Sequence, residues 1–248
     1  MIHFVGSRKR DFKRSKDGDL YPFLMKKQIE RLDIMKFKGV IFDLDGVICF
    51  TDQYHYRAWK QMADWIGVYF DEVINNKLRG VSRMASLDII LEKSTKQYSS
   101  AEKSILAEKK NDIYRKLLLQ MSPKDLSADV KSTLDELRNR GVSLAIGSSS
   151  KNTKTILKQI GLEVFFDAIS DGTNIIHSKP HPEVFLMAAD MLHLQPSECL
   201  VVEDALAGIE AALAGGFSSA GIGEAATHDQ VTFKIHKVSD ILNLFKIE

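Results

Sequence analysis

Val40-Ile41-Phe42-Asp43-Leu44-Asp45-Gly46-Val47 is the stretch from which the fold can be read. An apolar run meets two aspartates one residue apart and then a glycine. Such a run reads as a buried strand whose C-terminal end delivers carboxylates into a crevice. In an open α/β sheet, ligands bind beyond that end. Two later runs have the same form. Leu144-Ala145-Ile146 ends in Gly147 and the serines Ser148, Ser149 and Ser150, and Leu200-Val201-Val202 ends in Glu203-Asp204. Three apolar strands that finish in chemically useful groups are expected to be neighbours in one sheet.

Outward from the first strand, the pattern turns helical. Tyr56, Trp59, Met62, Ala63 and Ile66 recur at spacings of three and four, which predicts an amphipathic helix over residues 53–66 closed by Gly67. Residues 84–91 and 99–121 read as further helices. In the second of these, Glu102 suits the first turn, while Ser100 with Lys103 makes a poor capping box. No convincing strand falls between residues 48 and 122, so this region reads as an all-helical insertion.

An α/β rhythm begins after Ser122-Pro123. Helices are expected over 128–140, 152–160, 182–192 and 205–213. Strands are expected over 142–146, 165–169 and 200–202, with weaker candidates at 219–222 and 235–238. Strand and helix alternating through short loops imply a parallel sheet with right-handed crossovers. The fold class is therefore α/β: a Rossmann-like parallel-sheet core (36–51 and 123–248) with an inserted helical cap domain (52–122). The insertion leaves from the edge that carries Asp43, so it is expected to lie over the strand ends as a lid.

Composition bounds the function. The chain has 248 residues, 44% of them hydrophobic and 27% charged, with a formal net charge of +1. That balance is ordinary for a globular protein and argues against bulk attraction to nucleic acid or an anionic membrane. Cys49 and Cys199 read as buried free thiols rather than a disulfide. No apolar run approaches the roughly 20 residues of a membrane span, and no secretory leader pattern opens the chain, so a cytoplasmic location is expected. Residues 1–35 stand apart as a basic extension, with Arg8, Lys9, Arg10, Lys13, Arg14 and Lys16 crowded together. A solvated arm is the plain reading, and a nucleic-acid or partner-binding tail is the alternative. Met35 could serve as another start.

Phe42-Asp43-Leu44-Asp45-Gly46-Val47 resembles the nucleophile motif of the haloacid-dehalogenase (HAD) superfamily of phosphotransferases. Ser148, Lys179 in Ser178-Lys179-Pro180, and Glu203-Asp204 resemble its three further motifs, in order. Within the superfamily the segments Tyr54-His55-Tyr56-Arg57-Ala58-Trp59, Gly80-Val81-Ser82-Arg83, Lys110-Asn111-Asp112, Ser148-Ser149-Ser150-Lys151-Asn152 and Glu203-Asp204-Ala205-Leu206-Ala207-Gly208 are similar to those of β-phosphoglucomutases. The likeness covers about residues 36–248. It departs at Phe50, where an acid is usual, at Ala128-Asp129, where Pro-Gly is usual, and at Ala205-Leu206, where a more polar pair is usual.

The resemblance implies one Mg²⁺ per chain, because a carboxylate attacks a phosphate dianion only when a cation offsets their repulsion. Asp43, Asp204 and the backbone carbonyl of Asp45 are the expected ligands, with Glu203 holding a bound water. Asp43 is the expected nucleophile and Asp45 the general acid/base. Lys179 would neutralise Asp43 and the transferring phosphoryl oxygens, with help from Ser148 and the amides after it. A mutase also needs a second phosphate grip and a lid that excludes water. Arg83, with Gly80, Val81 and Ser82 from the cap, and Ser149, Ser150, Lys151 and Asn152 from the core, are the candidates. His55 and Thr51 are expected to couple lid closure to Asp45, and Lys110, rather than its neighbour Lys109, to meet the sugar or the Asp45–His55 pair. Trp59 either stacks on the sugar or packs in the cap core.

The implied reaction interconverts β-D-glucose 1-phosphate and D-glucose 6-phosphate through an aspartyl phosphate and β-glucose 1,6-bisphosphate, which also primes the enzyme. The expected partner is a small sugar phosphate, with no nucleic acid or membrane, and the enzyme is expected to be a monomer. A sugar-phosphate phosphatase on the same fold is the alternative. Phosphonate hydrolysis and dehalogenation fit less well, since no lysine sits where a Schiff base would form and the metal acids would have no task. From another class, a non-catalytic binding module using the basic arm remains open.

Overall fold

A computed structural model describes residues 37–78 and 82–245. The basic extension, Gly80 and Val81 lie outside the described residues. Six parallel strands form one sheet in the order β3-β2-β1-β4-β5-β6. They are β1 (Gly39–Phe42), β2 (Ser143–Gly147), β3 (Ala168–Ser170), β4 (Cys199–Glu203), β5 (Ser218–Gly221) and β6 (Phe233–Lys234). β1 sits between β2 and β4, pairing Phe42 with Ile146 on one side and Val202 on the other. The three strands that end in functional groups are thus adjacent, as expected.

Both faces of the sheet are covered, which is why its central strands read as unbroken apolar runs. Val40, Phe42, Leu144, Ile146, Leu200 and Val202 point to one face. There they pack with α5 (Ala128–Asn139), α6 (Thr153–Gln159) and a C-terminal 3₁₀ segment, Val238–Phe245. The alternate residues Ile41, Ala145 and Val201 face α7 (Glu183–Met191) and α8 (Leu206–Ala214), against Val184, Phe185, Ala188 and Ala212.

Between β1 and α5 lie only helices and turns among the described residues: α1 (Asp52–Trp65), α2 (Glu72–Asn76), α3 (Arg83–Leu91) and α4 (Ser100–Leu118). Trp59, Met62, Leu87, Ile90 and Leu106 give them an apolar cluster of their own. The inner faces of α1 and α4, through Tyr54, Ala58, Tyr114 and Leu118, instead join the main core. That shared packing seats the helical layer on the sheet.

Four sequence expectations are corrected. The α4 cap is Ser99, one residue earlier than expected: its hydroxyl accepts the Glu102 amide at 3.3 Å, and Glu102 accepts the Ser99 amide at 2.8 Å. The short α2, capped by Asp71, was not foreseen, because five residues carry too little periodicity. Residues 165–167 are a turn rather than strand, since Asp167 spends its carboxylate on the Leu144 amide at 2.8 Å. The last strand is Phe233–Lys234, not 235–238, because Asp240 accepts the His236 and Lys237 amides and starts the 3₁₀ segment there.

Two departures from the family pattern have plain structural outcomes. Asp129 ties α5 to the C-terminal segment by accepting the Ser239 hydroxyl at 2.6 Å, and Phe50 is exposed. Cys49 and Cys199 are free and buried, and burial pushes the Cys199 thiol up to about 12. No described helix is long and apolar enough to cross a membrane.

Candidate active site

The turn after β1 folds back on itself. The Gly46 amide donates to the Cys49 carbonyl at 2.7 Å, and the Ile48 and Cys49 amides donate to the Leu44 carbonyl. This leaves Asp43 buried at the strand end and Asp45 one step further out. The Lys179 ammonium, whose side chain is 10% exposed, reaches Asp43 Oδ1 at 2.5 Å and Glu203 Oε2 at 2.7 Å. The Lys179 backbone amide rests on Ser149 Oγ at 3.4 Å. Lys179 is therefore fixed at both ends between the β2, β1 and β4 termini.

The charges do not balance locally. Asp43, Glu203 and Asp204 each place a carboxylate oxygen within 4.8 Å of the others, with one ammonium among them. Burial, and then repulsion from neighbouring carboxylates, raises Asp43 and Asp204 well above the usual carboxylate range, although Lys179 pulls both back. Burial would lower Lys179, but Asp43 and Glu203 outweigh it and hold the ammonium charged.

An excess of hard oxygen donors in a buried cluster fits Mg²⁺. The backbone makes room for it. Gly46 has φ +90°, and a Cβ there would lie 2.0 Å from Asp204 Oδ2, while a Cβ on Gly208 would lie 2.0 Å from the Glu203 carboxyl carbon. Glu203 is already engaged: Oε2 takes Lys179, and Oε1 accepts the Asp204 and Ala205 amides at 3.1 and 3.0 Å. Asp43, Glu203 and Asp204 could together hold the ion, and Glu203, being the most heavily hydrogen-bonded of the three, is suited to act through a bound water.

Asp45 points towards Thr51, which joins the turn after β1 to α1. Its Oδ1 accepts the Thr51 amide at 2.8 Å and its Oδ2 the Thr51 hydroxyl, which in turn accepts the Tyr114 hydroxyl at 3.1 Å. His55 Nε2 is 3.9 Å from Asp45 Oδ2, and His55 Nδ1 is 2.9 Å from Lys110 Nζ. The His55 ring lies against Tyr114, with centroids 4.1 Å apart. Lys110, 3% exposed, also sits over the Trp59 and Tyr114 rings at 4.8 and 4.6 Å. Burial, then the charge of Arg83, lowers Lys110 to about 7. Burial, then Lys110 and Arg83, holds His55 well below its usual value, so the ring is neutral. Burial raises Asp45, against the two Thr51 bonds.

Of the two adjacent lysines, Lys110 meets His55, and Lys109 covers Trp65 on the outside. Trp59 is 3% exposed in the cap core, which is the packing alternative of the two readings given above. Arg83 opens α3, with Ser82 as its cap, and pairs with Glu108 at 3.8 Å. On the core side, Ser148 Oγ accepts the Ser150 amide, Ser150 Oγ accepts the Asn152 amide, and Lys151 is exposed. Asn152 Nδ2 donates to Asn111 Oδ1 across the cap–core seam at 3.3 Å. Sequence reasoning missed Tyr114, Asn111, Gly46 and Gly208 as site residues. Tyr114 lies four residues after Lys110, one helical turn along the same face, and that spacing was the available signal.

The haloacid dehalogenase-like hydrolase family model matches residues 37–216. The chain belongs to that family. Among HAD relatives, the β-phosphoglucomutase of Bacillus subtilis strain 168 is 38% identical over 206 residues, which is 82% of this chain and 91% of that protein. The fructose-1-phosphate phosphatase of Escherichia coli K12 is 31% identical over 74% of this chain and 95% of its own length. A crystal structure of β-phosphoglucomutase from Clostridium difficile superposes with a TM-score of 0.72 at 36% identity, covering 84% of this chain and 97% of that one. A HAD core with a helical cap is the fold of this chain, and it is an enzyme of that superfamily.

Proposed function

We propose that this HAD enzyme is a Mg²⁺-dependent phosphomutase that interconverts β-D-glucose 1-phosphate and D-glucose 6-phosphate. The observation that carries the reading is the chain of contacts from cap to core: Lys110 to His55, and His55 to the Asp45–Thr51 pair. A phosphatase needs only water at its phosphoaspartate. A mutase must hold that group until a sugar hydroxyl arrives, so its acid/base should come into place only when the cap closes. An acid/base held by Thr51, where core passes into cap, and approached by cap side chains suits that requirement.

In the proposed cycle an Asp43 oxygen attacks phosphorus in line, the bond to the donor oxygen breaks, and Asp45 gives that oxygen its proton. Burial raises Asp45 above the usual carboxylate range, which favours a carboxyl that can carry the proton. Lys179 and Ser148 hold the transferring phosphoryl oxygens. Bound Mg²⁺, held by Asp43 and Asp204, would offset the repulsion between carboxylate and phosphate. Phosphorylated Asp43 then gives its phosphoryl to the 6-hydroxyl of β-glucose 1-phosphate while Asp45 takes that hydroxyl's proton, which frees Asp43 and forms β-glucose 1,6-bisphosphate. The bisphosphate turns round, its 1-phosphate passes to Asp43, and D-glucose 6-phosphate leaves; the same bisphosphate primes resting enzyme. Arg83 and Ser82 from the cap (52–122), with Ser150, Lys151 and Asn152 from the core, would grip the second phosphate. Residues 80 and 81 belong to the same proposed grip. The working unit is a monomer acting on a free sugar phosphate.

The identity to a fructose-1-phosphate phosphatase favours hydrolysis of a sugar phosphate as the second reading. A coupled glucose 6-phosphate assay from β-glucose 1-phosphate, with Mg²⁺ and bisphosphate primer, separates the two when run beside phosphate-release detection. Glucose 6-phosphate without matching inorganic phosphate is expected. Phosphate appearing as fast as substrate disappears would replace the mutase with the phosphatase.

A further inference from the structure

The loop that brings Lys179 into the active site carries a second cluster of ligand atoms. His177 and His181 stand two residues either side of Lys179, and their side chains are 60% and 52% exposed, whereas that of Lys179 is 10% exposed. Glu183, the first residue of α7, completes the group. His177 Nδ1 lies 2.9 Å from Glu183 Oε2 and His181 Nδ1 lies 3.9 Å from the same oxygen, with all three ligand atoms within 4.8 Å of one another. Zinc takes nitrogen and oxygen ligands at about 2.0–2.2 Å, so tetrahedral ligands stand roughly 3.3 Å apart. The two histidine–carboxylate separations bracket that value, and the two histidine ligand atoms lie within 4.8 Å of each other, so modest side-chain rotations of the exposed rings would bring the three to it.

The group is also oriented as a ligand set must be. Glu183 Oε1 accepts the Ile176 amide and Oε2 the His177 amide, both at 2.8 Å, so the carboxylate is held in place by backbone. His181 Nδ1 accepts the Glu183 amide at 3.3 Å, which requires a lone pair rather than a proton on that nitrogen. A bound ion would take over that lone pair and replace the proton shared between His177 Nδ1 and Glu183. The rings face one another with centroids 4.6 Å apart. Two imidazoles and one carboxylate suit zinc and its borderline neighbours, whereas the all-carboxylate cluster at Asp43 suits magnesium.

We propose that His177, His181 and Glu183 form a binding site for a borderline divalent transition metal, Zn²⁺ foremost, that clips the Lys179 loop to the first turn of α7. The exposed rings leave the fourth position to water. The site selects a different ion from the catalytic acids and does not depend on the mutase reading.

The test uses the untagged full chain, stripped with chelator and returned to buffer with saturating Mg²⁺. Co²⁺ is titrated in as a spectroscopic stand-in and then displaced by Zn²⁺. One equivalent per chain is expected, with the visible absorption of a four-coordinate site that Zn²⁺ bleaches. His177→Ala and His181→Ala should each weaken Co²⁺ binding by at least ~100-fold, since loss of a partner one shell further out already costs up to that. Both should keep the Mg²⁺-dependent turnover and far-UV circular dichroism of the parent. Asp204→Asn, in the other cluster, should keep the Co²⁺ signal. No saturable Co²⁺ site in the parent, or binding that survives both histidine substitutions or disappears with Asp204→Asn, overturns the proposal and leaves the cluster as an ordinary loop-closing hydrogen bond.

Discussion

Lys110→Met should stabilise the protein while damaging its chemistry, and the pH dependence of the gain exposes the cause. Methionine keeps an unbranched stem of similar shape and removes the ammonium. Lys110 is 3% exposed and lowered from 10.5 to about 7, by burial first and the Arg83 charge second. Between those two values the unfolded chain binds a proton that the folded chain does not, so this lysine makes stability rise with pH across the window. The destabilisation it causes is fully present below about pH 7 and gone above about pH 10.5. Each pH unit inside the window is worth about 1.4 kcal/mol. Relative to the parent, Lys110→Met should therefore gain roughly 2–3 kcal/mol more at pH 7.5 than at pH 9.5. The constant offset from the lost His55 contact and ring contacts cancels in that difference.

Urea unfolding followed by circular dichroism in EDTA at the two pH values gives the quantity directly. The window also lies above the titration of His55, which is held low by burial and by Lys110 itself. A parent–variant difference that does not change with pH, or that grows towards pH 9.5, would refute the reasoning. Turnover of the variant should fall, because His55 loses its cap-side partner.

Three further outcomes follow from the same geometry. Asp43→Asn should reduce turnover to background with the fold retained, and no label from a phosphoryl donor should stay on the purified variant. Arg83→Ala should lower kcat/KM for the proposed mutase reaction by roughly 10–10²-fold, as loss of a charge-assisted grip of about 1.5–3 kcal/mol implies, with hydrolysis of a small aryl phosphate changed far less. Equal effects on both reactions would remove Arg83 from the second phosphate grip. Gly46→Ala meets Asp204 Oδ2 at 2.0 Å and holds φ at +90°, so it should raise the Mg²⁺ concentration for half-maximal activity about 10–100-fold and lower stability by about 1–2 kcal/mol. An unchanged Mg²⁺ requirement would separate Asp204 from the metal.

The sequence determined the sheet, the order of its catalytic strand ends and the helical insertion. Parallel strands covered on both faces must be apolar throughout, so Val40, Leu144 and Leu200 announce themselves without long-range information. A carboxylate at the end of such a strand can hardly avoid the ligand-binding edge. Local capping and pairing decided what short or polar segments became, which is why α2, the turn at 165–167 and the two-residue β6 were not legible. The tertiary structure alone chose Lys110 over Lys109, sent Trp59 into the cap core and brought Tyr114 and Asn111 to the seam. It also set His177 and His181 against Glu183. Helical periodicity says which residues share a face, but the neighbour a face meets is fixed by packing between segments far apart in the chain. The charge at Lys110 can be placed beside His55, 55 residues earlier, only once both helices are seated on the same core.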